Sequence, residues 1–120
     1  MTVHLTHLGL PVREASRSRQ FYETYFRFDP STAQEYHDGT VIIRNADGFD
    51  LALHPGQDVG ALPPFLHFGF RFGDAAEVRD LLARMRADGV RILEDDDGAS
   101  YVGFKCEDPD GHRVESYWEP

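Results

Sequence analysis

The sequence predicts an α+β fold built from two βαβββ modules. The first observation is a repeat, because HLGLPV (7–12) and HFGFRF (67–72) share the pattern His, apolar, Gly, apolar, any residue, apolar, sixty residues apart. The second is that the same order of elements follows each copy, with one segment of helical periodicity and then three strand-like segments. Two halves with a common plan imply two equivalent modules.

The first strand of each module and the helix after it differ in periodicity. LTHLGLPV (5–12) and FLHFGFRF (65–72) alternate with a period of two, which is typical of half-buried strands. The segments that follow place apolar residues at helical spacing: Phe21, Tyr22, Tyr25 and Phe26 in the first module, and Val78, Leu81, Leu82 and Met85 in the second. Asp74, three residues before Glu77, indicates a capping box, and Gly89 predicts the end of the second helix.

Turn residues divide the rest of each half into three strand-like segments. These are STAQEYHDG, TVIIRNADG and FDLALHPG in the first half, and VRILEDDDG, SYVGFKCEDPDG and HRVESYWEP in the second. HPGQDVGALPP (54–64) is rich in Pro and Gly and joins the halves. We therefore expect one domain over residues 1–120, with modules at about 1–55 and 65–120 and a linker at about 55–64.

Composition excludes several classes of protein. With 41% hydrophobic and 28% charged residues, the chain resembles an ordinary soluble protein, and it has no apolar run long enough to span a membrane. No export signal is visible at the N-terminus, so we expect a cytoplasmic protein. The formal charge of −9 disfavours nucleic acid as a partner. The single cysteine, Cys106, alternates with apolar residues and is predicted to be a buried, inert thiol.

Strand parity assigns side chains to the two faces of each sheet. The residues predicted to pack against the helices are Leu8, Leu10, Val12, Phe68, Phe70, Phe72 and Val114. Those predicted on the open face are His7, Gly9, Pro11, His67, Gly69, Arg71, Arg113, Glu115 and Tyr117. Because a carboxylate on a concave face needs a partner, which two imidazoles and a divalent cation supply, His7, His67 and Glu115 are candidate metal ligands.

Four segments together resemble the vicinal oxygen chelate superfamily, which contains glyoxalase I, fosfomycin-resistance thiol transferases, extradiol dioxygenases and bleomycin resistance proteins. They are HLGLPV, SRQFYETYF (18–26), LHFGFRF (66–72) and EDPDGHRVE (107–115). The resemblance implies a glyoxalase-like fold, in which paired βαβββ modules form a curved, cup-shaped mixed sheet around a divalent metal. By this resemblance His7, His67 and Glu115 are the metal ligands. It also implies a homodimer with shared sites, in which one chain supplies His7 and the other supplies His67 and Glu115.

Departures from the subfamilies narrow the expected activity. Glyoxalase I has a fourth ligand, a glutamate on the last strand of the first module. Counting from Gly48 places Ala52 there, although Asp50 or His54 would substitute if the register shifts. Arg27 stands where glyoxalases usually have glycine, which disfavours a lactoylglutathione lyase. Fosfomycin-modifying relatives carry a threonine two residues after the first histidine, where this chain has Gly9, and the aromatic residue typical of dioxygenases is missing before the closing turn.

The resemblance implies an enzyme that depends on a divalent metal such as Fe, Mn, Ni, Co or Zn and acts on a small oxygen-chelating substrate. Lyase, isomerase and thiol-transferase activities all fit, with Asp50 and Tyr117 as the candidate catalytic groups and His54 as a further candidate base. The alternative is a metal-free binding protein of the bleomycin-resistance type that sequesters a cationic ligand at a dimer interface. The negative charge fits that alternative, as do the aromatic residues Tyr36, Tyr101, Tyr117 and Trp118.

Two polar segments are expected to be solvated surface. EDDDG (94–98) is the one acidic cluster, and we interpret it as an exposed turn. His112 lies in the DPDGH turn and should point away from Glu115 by strand parity, so we expect it at the surface.

Overall fold

Each half of the chain folds as a strand, a helix and three further strands, in a computed structural model that describes all residues from Met1 to Pro120. The first module contains β1 (His7–Pro11), α1 (Ala15–Phe26), β2 (Asp29–Glu35), β3 (Val41–Arg44) and β4 (Asp50–His54). The second contains β5 (Phe68–Arg71), α2 (Ala75–Ala87), β6 (Ile92–Asp97), β7 (Val102–Glu107) and β8 (Arg113–Trp118). The prediction of two βαβββ modules is confirmed.

Each module has its own four-stranded mixed sheet, and the two sheets have the same topology. The strand orders are β1-β4-β3-β2 and β5-β8-β7-β6. The first strand pairs in parallel with the last strand of its module, and the other neighbours are antiparallel. The parallel pairing brings residues from the start of each module beside residues from its end. The chain divides into two compact units, Met1–Ala61 and Leu62–Pro120.

The packed face of each sheet is apolar, as strand parity predicts. In the first module α1 lies against β3 and β4, where Ile43, Leu51 and Leu53 are fully buried. In the second module α2 lies against β7 and β8, where Cys106 and Val114 are fully buried. The buried position expected for Cys106 is confirmed, and burial raises the pKa of its thiol to about 12, which disfavours the reactive thiolate.

The two helices differ in the residues at their termini. In α2 the Asp74 side chain accepts a hydrogen bond from the Glu77 amide at 2.8 Å, and Gly89 adopts a φ of 81° just beyond the last turn. The Val90 amide then donates to the Met85 carbonyl, which completes a Schellman motif. At the end of α1 the left-handed position is occupied by Arg27, with a φ of 60°. The predicted capping residue and glycine stop of α2 are both confirmed.

The structure corrects the interpretation of the acidic segment. Residues 94–97 lie in β6, an edge strand, and do not form a turn. Their carboxylates alternate between the two faces: Glu94 pairs with Lys105 at 2.8 Å, whereas Asp97 pairs with Arg79 of α2 at 2.9 Å. Charged residues on an edge strand also discourage pairing with another sheet. Pairing with β7 and these ion pairs stabilise the polar segment as a strand.

The surface position expected for His112 is wrong. The residue is only 6% exposed, because it has the same parity as the buried Val114 and Ser116. Its amide donates to the side chain of Asp108 at 2.9 Å, and its carbonyl accepts from the Asp108 amide. Parity placed the side chain correctly away from Glu115, but that side is the packed face.

The structure contains no membrane-spanning helix, since its two helices have only 12 and 13 residues.

The Asp74 cap provides a test of the second helix. We expect Asp74→Ala to lower the free energy of unfolding by about 1 kcal/mol, because the Glu77 amide loses its acceptor. Asp80→Ala is the matched control, since Asp80 is an exposed residue of the same helix. Urea denaturation followed by circular dichroism measures both variants. Equal loss of stability in the two variants would contradict the assigned cap.

Candidate functional site

Two of the three predicted metal ligands meet on the open face of the second module. The Nε2 atom of His67 lies 3.3 Å from Oε1 of Glu115, and both side chains are partly exposed. The register of β5 and β8 sets this meeting, because Gly69 lies opposite Glu115 and His67 is two residues before Gly69. A Cβ atom on Gly69 would lie 3.3 Å from Cβ of Glu115, so the glycine leaves the space that the carboxylate side chain uses.

The hydrogen bonding of His67 determines which ring nitrogen is free. Its Nδ1 atom donates to the Phe65 carbonyl oxygen at 2.6 Å, since a carbonyl can only accept. In a neutral imidazole Nε2 then keeps its lone pair, and this atom faces a carboxylate oxygen, which is also an acceptor. The contact is favourable only if a proton on Nε2 or a metal ion supplies positive charge between the two atoms. An ion pair with a protonated imidazole meets this condition, and so does a bound cation.

A strained backbone supports the histidine. Phe65 has a φ of 66°, in the left-handed region that favours glycine, and the residue is largely exposed. A residue with a Cβ atom in this conformation costs about 1–2 kcal/mol. The carbonyl oxygen of this strained residue is the acceptor for Nδ1 of His67. Strain of this kind persists where neighbouring contacts fix the backbone.

The second carboxylate oxygen of Glu115 is bound by a tyrosine. The Tyr101 hydroxyl donates to Oε2 of Glu115 at 2.5 Å, which leaves Oε1 to face His67. Burial and this hydrogen bond raise the pKa of Tyr101, so the hydroxyl remains a donor. Gly103 makes the contact possible, because a Cβ atom there would lie 2.6 Å from Cζ of Tyr101. Because Gly103 has no side chain, the Tyr101 ring can lie across β7 and reach Glu115.

Tyr117 completes the polar surface around Glu115. Its ring stacks on Tyr101, with centroids 6.2 Å apart and an interplanar angle of 16°. It also lies over Gly69, where an added Cβ atom would be 3.6 Å from its Cε1. The open face beside these residues contains a concavity of about 230 Å³ that Tyr101, Glu94 and Lys105 help to line. The second module thus combines a carboxylate, an imidazole and two phenols.

The corresponding strands of the first module carry a different set of side chains. His7 lies opposite Asp50 in the parallel pair of β1 and β4. Arg44 on β3 binds both oxygens of Asp50, at 2.8 and 3.0 Å, and holds the pKa of this carboxyl below its ordinary value. Asp50 is therefore a weaker base than an isolated aspartate. A concavity of about 220 Å³ on this face is lined in part by Arg44, Asp50 and Tyr36.

Sheet register identifies the first-module counterpart of Glu115. Gly9 lies opposite Ala52 in the first module, as Gly69 lies opposite Glu115 in the second, so the equivalent position is Ala52. Asp50 is two residue pairs away, beside His7. His54 fills the space over Gly9, with Nε2 3.3 Å from where a Cβ atom would be, and its Nδ1 is 3.0 Å from the Thr40 hydroxyl.

The structure brings together only some of the predicted site residues. His67, Glu115 and Tyr117 are neighbours in the second module, whereas His7 and Asp50 belong to the first. No three His, Cys, Asp or Glu side chains in the structure lie close enough to hold a metal ion. His67 and Glu115 nevertheless have the donor types, one imidazole nitrogen and one carboxylate oxygen, that a divalent transition metal accepts.

Sequence reasoning missed the residues that support the pair. Tyr101 was noted for its aromatic ring, and nothing in the sequence indicated its hydrogen bond to Glu115. Gly103, two residues later in β7, is the one available signal. The Phe65 carbonyl could not be found from residue types, because the contact depends on a left-handed turn at a phenylalanine.

Comparison with known proteins establishes the family. Residues 4–116 match the family model of the Glyoxalase/Bleomycin resistance protein/Dioxygenase superfamily. The match spans nearly the whole chain and includes both modules. The chain belongs to this superfamily, as its resemblance to the vicinal oxygen chelate proteins implied. The comparison with curated proteins gave no match.

Solved structures with the same fold include proteins of several kinds. A possible glyoxalase from Bacillus cereus is 27% identical, with a TM-score of 0.81 over 96% of this chain and 98% of that one. The fosfomycin resistance protein FosX from Listeria monocytogenes, complexed with Mn(II) and sulfate, is 18% identical, with a TM-score of 0.82 over 100% and 93%. Lactoylglutathione lyase from Agrobacterium tumefaciens is 18% identical, with a TM-score of 0.73 over 98% and 94%.

The Arg44–Asp50 ion pair can be tested by titration. We expect Arg44→Met to raise the pKa of Asp50 toward the ordinary 3.8, because the carboxylate loses its bidentate donor. The sign follows from the lowered pKa in the folded state: the pair stabilises the fold above the ordinary pKa, and this contribution is lost as the pH falls below it. Carboxyl carbon shifts in an NMR titration report the change.

Arg79→Met is the control for that titration. It removes the equivalent guanidinium from Asp97 and leaves the Asp50 pair intact. An unchanged Asp50 pKa in Arg44→Met, or an equal change in the control, would show that the guanidinium does not set the acidity of Asp50.

Proposed function

We propose that this protein is a divalent-metal-dependent enzyme that acts on a small substrate with neighbouring oxygen atoms. The observation that carries the proposal is the contact between Nε2 of His67 and Oε1 of Glu115, two acceptors that need positive charge between them. Membership of the superfamily supports the same reading. So does FosX from Listeria monocytogenes, a fold relative described in complex with Mn(II).

The proposed ligands are His67, Glu115 and His7. Two imidazoles and one carboxylate suit Mn, Fe, Co, Ni or Zn and leave positions open for substrate oxygens. A metal bound there supplies Lewis-acid stabilisation for negative charge that develops on a substrate oxygen. We also propose the homodimer that the family resemblance implies, in which His7 of one chain joins His67 and Glu115 of another.

The surrounding residues have separate roles in this proposal. The Phe65 carbonyl fixes the proton on Nδ1 of His67 and so keeps the Nε2 lone pair available. Tyr101 holds one oxygen of Glu115 and leaves the other for the metal. Tyr117 lies next to Glu115 across Gly69, where its hydroxyl can orient a bound substrate or donate a proton. None of these three groups is a proposed metal ligand.

Asp50 and Tyr117 are the proposed catalytic groups. The ion pair with Arg44 lowers the pKa of Asp50, which favours a role in orienting polar substrate groups over proton abstraction. His54 is the further candidate base, because Thr40 holds its Nδ1 and leaves Nε2 over Gly9 on the open face.

A second candidate function is the sequestration of a cationic ligand. The stacked rings of Tyr101 and Tyr117 lie beside the Glu115 carboxylate, and an aromatic surface next to an acid suits a flat organic cation. The net charge of −9 acts in the same direction. Metal dependence separates the two functions, since sequestration needs no metal.

Metal binding by purified protein is the primary test. We expect Zn²⁺ to bind the wild-type chain at one ion per chain, and His67→Ala and Glu115→Gln to weaken binding at least about tenfold, because each removes a ligand. His7→Ala should weaken binding in the same way. Isothermal titration calorimetry gives affinity and stoichiometry, and elemental analysis of protein purified without chelator gives the resident metal.

His37→Ala is the matched control, since His37 is an exposed turn residue and should leave Zn²⁺ binding unchanged. If the wild-type chain binds no divalent metal, the enzyme proposal fails. If it instead binds a basic glycopeptide tightly, the sequestration function takes its place.

The Tyr101 hydroxyl gives a second measurable contribution. We expect Tyr101→Phe to lower Zn²⁺ affinity about tenfold, because Glu115 loses the donor that orients its carboxylate. Tyr36→Phe removes an equivalent hydroxyl that hydrogen-bonds Gln34 in the first module, and it should have no effect. Competition with a chromogenic chelator measures both affinities. Equal affinity in the Tyr101 variant and wild type would remove the tyrosine from the site.

A further inference from the structure

The segment before β5 contains a tight turn whose backbone carbonyls contact two residues of the second module. Leu66 donates its amide hydrogen to the Pro63 carbonyl at 3.4 Å, with Pro64 and Phe65 between them. A proline at the second position and a left-handed residue at the third are typical of a type II turn. The third position normally takes glycine, yet Phe65 occupies it with a φ of 66°.

Burial of the phenylalanine side chain does not account for this conformation. Phe65 is 87% exposed, so packing of this residue within the chain contributes little that would offset the strained backbone. The contacts of the turn are made by its main chain. The positive φ of Phe65 must therefore be explained by the contacts of its main chain and not by packing of its side chain.

Two carbonyls of the turn accept hydrogen bonds from residues connected to the His67–Glu115 pair. The Phe65 carbonyl accepts from Nδ1 of His67 at 2.6 Å. The Pro63 carbonyl accepts from the Arg113 guanidinium at 2.7 Å, and Arg113 is two residues before Glu115 on the same face of β8. A charge-assisted bond of this length is among the stronger hydrogen bonds in proteins. One turn thus fixes the histidine ring and attaches it to the strand that carries the glutamate.

We propose that the Pro63–Leu66 turn is the positioning device of the site, and that the left-handed backbone of Phe65 selects the His67 tautomer with a free Nε2. The inference rests on the proposed function for its consequence, since a free Nε2 matters when a metal is bound. Its structural part is independent of any metal. An isolated histidine prefers its proton on Nε2, and the Glu115 carboxylate that faces Nε2 favours the same position, so the turn must outweigh both effects to hold the other tautomer.

Two substitutions at one position separate the backbone from the side chain. Phe65→Gly removes the ring and allows positive φ freely, whereas Phe65→Val disfavours positive φ through its branched Cβ. The first readout is the proton position on His67 in metal-free protein, from long-range proton–nitrogen NMR spectra near pH ~9, well above the ordinary histidine pKa of about 6.5. The second readout is Zn²⁺ affinity. His67→Ala identifies the His67 signals.

We expect wild type and Phe65→Gly to carry the proton on Nδ1, and Phe65→Val to shift it toward Nε2. Zn²⁺ affinity should fall about ten- to a hundredfold in Phe65→Val and stay within about twofold in Phe65→Gly. Thermal melting confirms that each variant is folded. Should Phe65→Val unfold, Arg113→Met tests the other anchor of the turn, with the same tautomer shift expected.

The outcomes distinguish this inference from the proposed function. If Phe65→Val keeps the wild-type tautomer and Zn²⁺ affinity, the positioning role is overturned while metal binding stands. If the wild-type chain binds no Zn²⁺ but the tautomer shifts as expected, the enzyme proposal fails and the turn still positions His67. A loss of Nδ1 protonation in Phe65→Gly would assign the effect to the ring and overturn the role of the backbone.

Discussion

The contact of Nε2 of His67 with Oε1 of Glu115 is the constraint on which the site depends. Because the Phe65 carbonyl requires a proton on Nδ1, both facing atoms are acceptors in the neutral histidine. Such a pair is unfavourable without positive charge, and partial burial limits how far water can compensate. The Tyr101 hydroxyl donates to the other carboxylate oxygen, Oε2, so Oε1 is the oxygen that faces the acceptor atom of His67.

Glycines on the open faces make room for the polar side chains of both modules. Gly69 admits Glu115 and Tyr117, Gly103 admits the Tyr101 ring, and Gly9 admits the His54 ring. The two modules share this design and differ in charge. In the first, Ala52 takes the position of Glu115 and Arg44 neutralises Asp50; in the second, the carboxylate keeps a free oxygen. A duplicated scaffold therefore supports two different chemical surfaces.

Residue pattern predicted the elements well where the physical signal is local. Asp74 and Gly89 marked the start and end of the second helix correctly, because a cap and a left-handed stop involve only neighbouring residues. The acidic segment of β6 was misread because its strand depends on a ladder with β7 and on ion pairs with Lys105 and with arginines of α2. His112 was assigned to the wrong environment because parity gives a direction, while burial depends on what packs there.

The sequence by itself determined the two modules, the polarity of the two faces of each sheet, and the residues His67 and Glu115, since alternation and internal repetition are properties of the chain alone. The tertiary structure decided which atoms of those residues are free. Register brought Ala52 and not Asp50 to the counterpart of Glu115. The proton on Nδ1 follows from a strained turn at Phe65, and the occupied oxygen of Glu115 from a ring that crosses Gly103. These are contacts in space, which residue types and spacing do not encode.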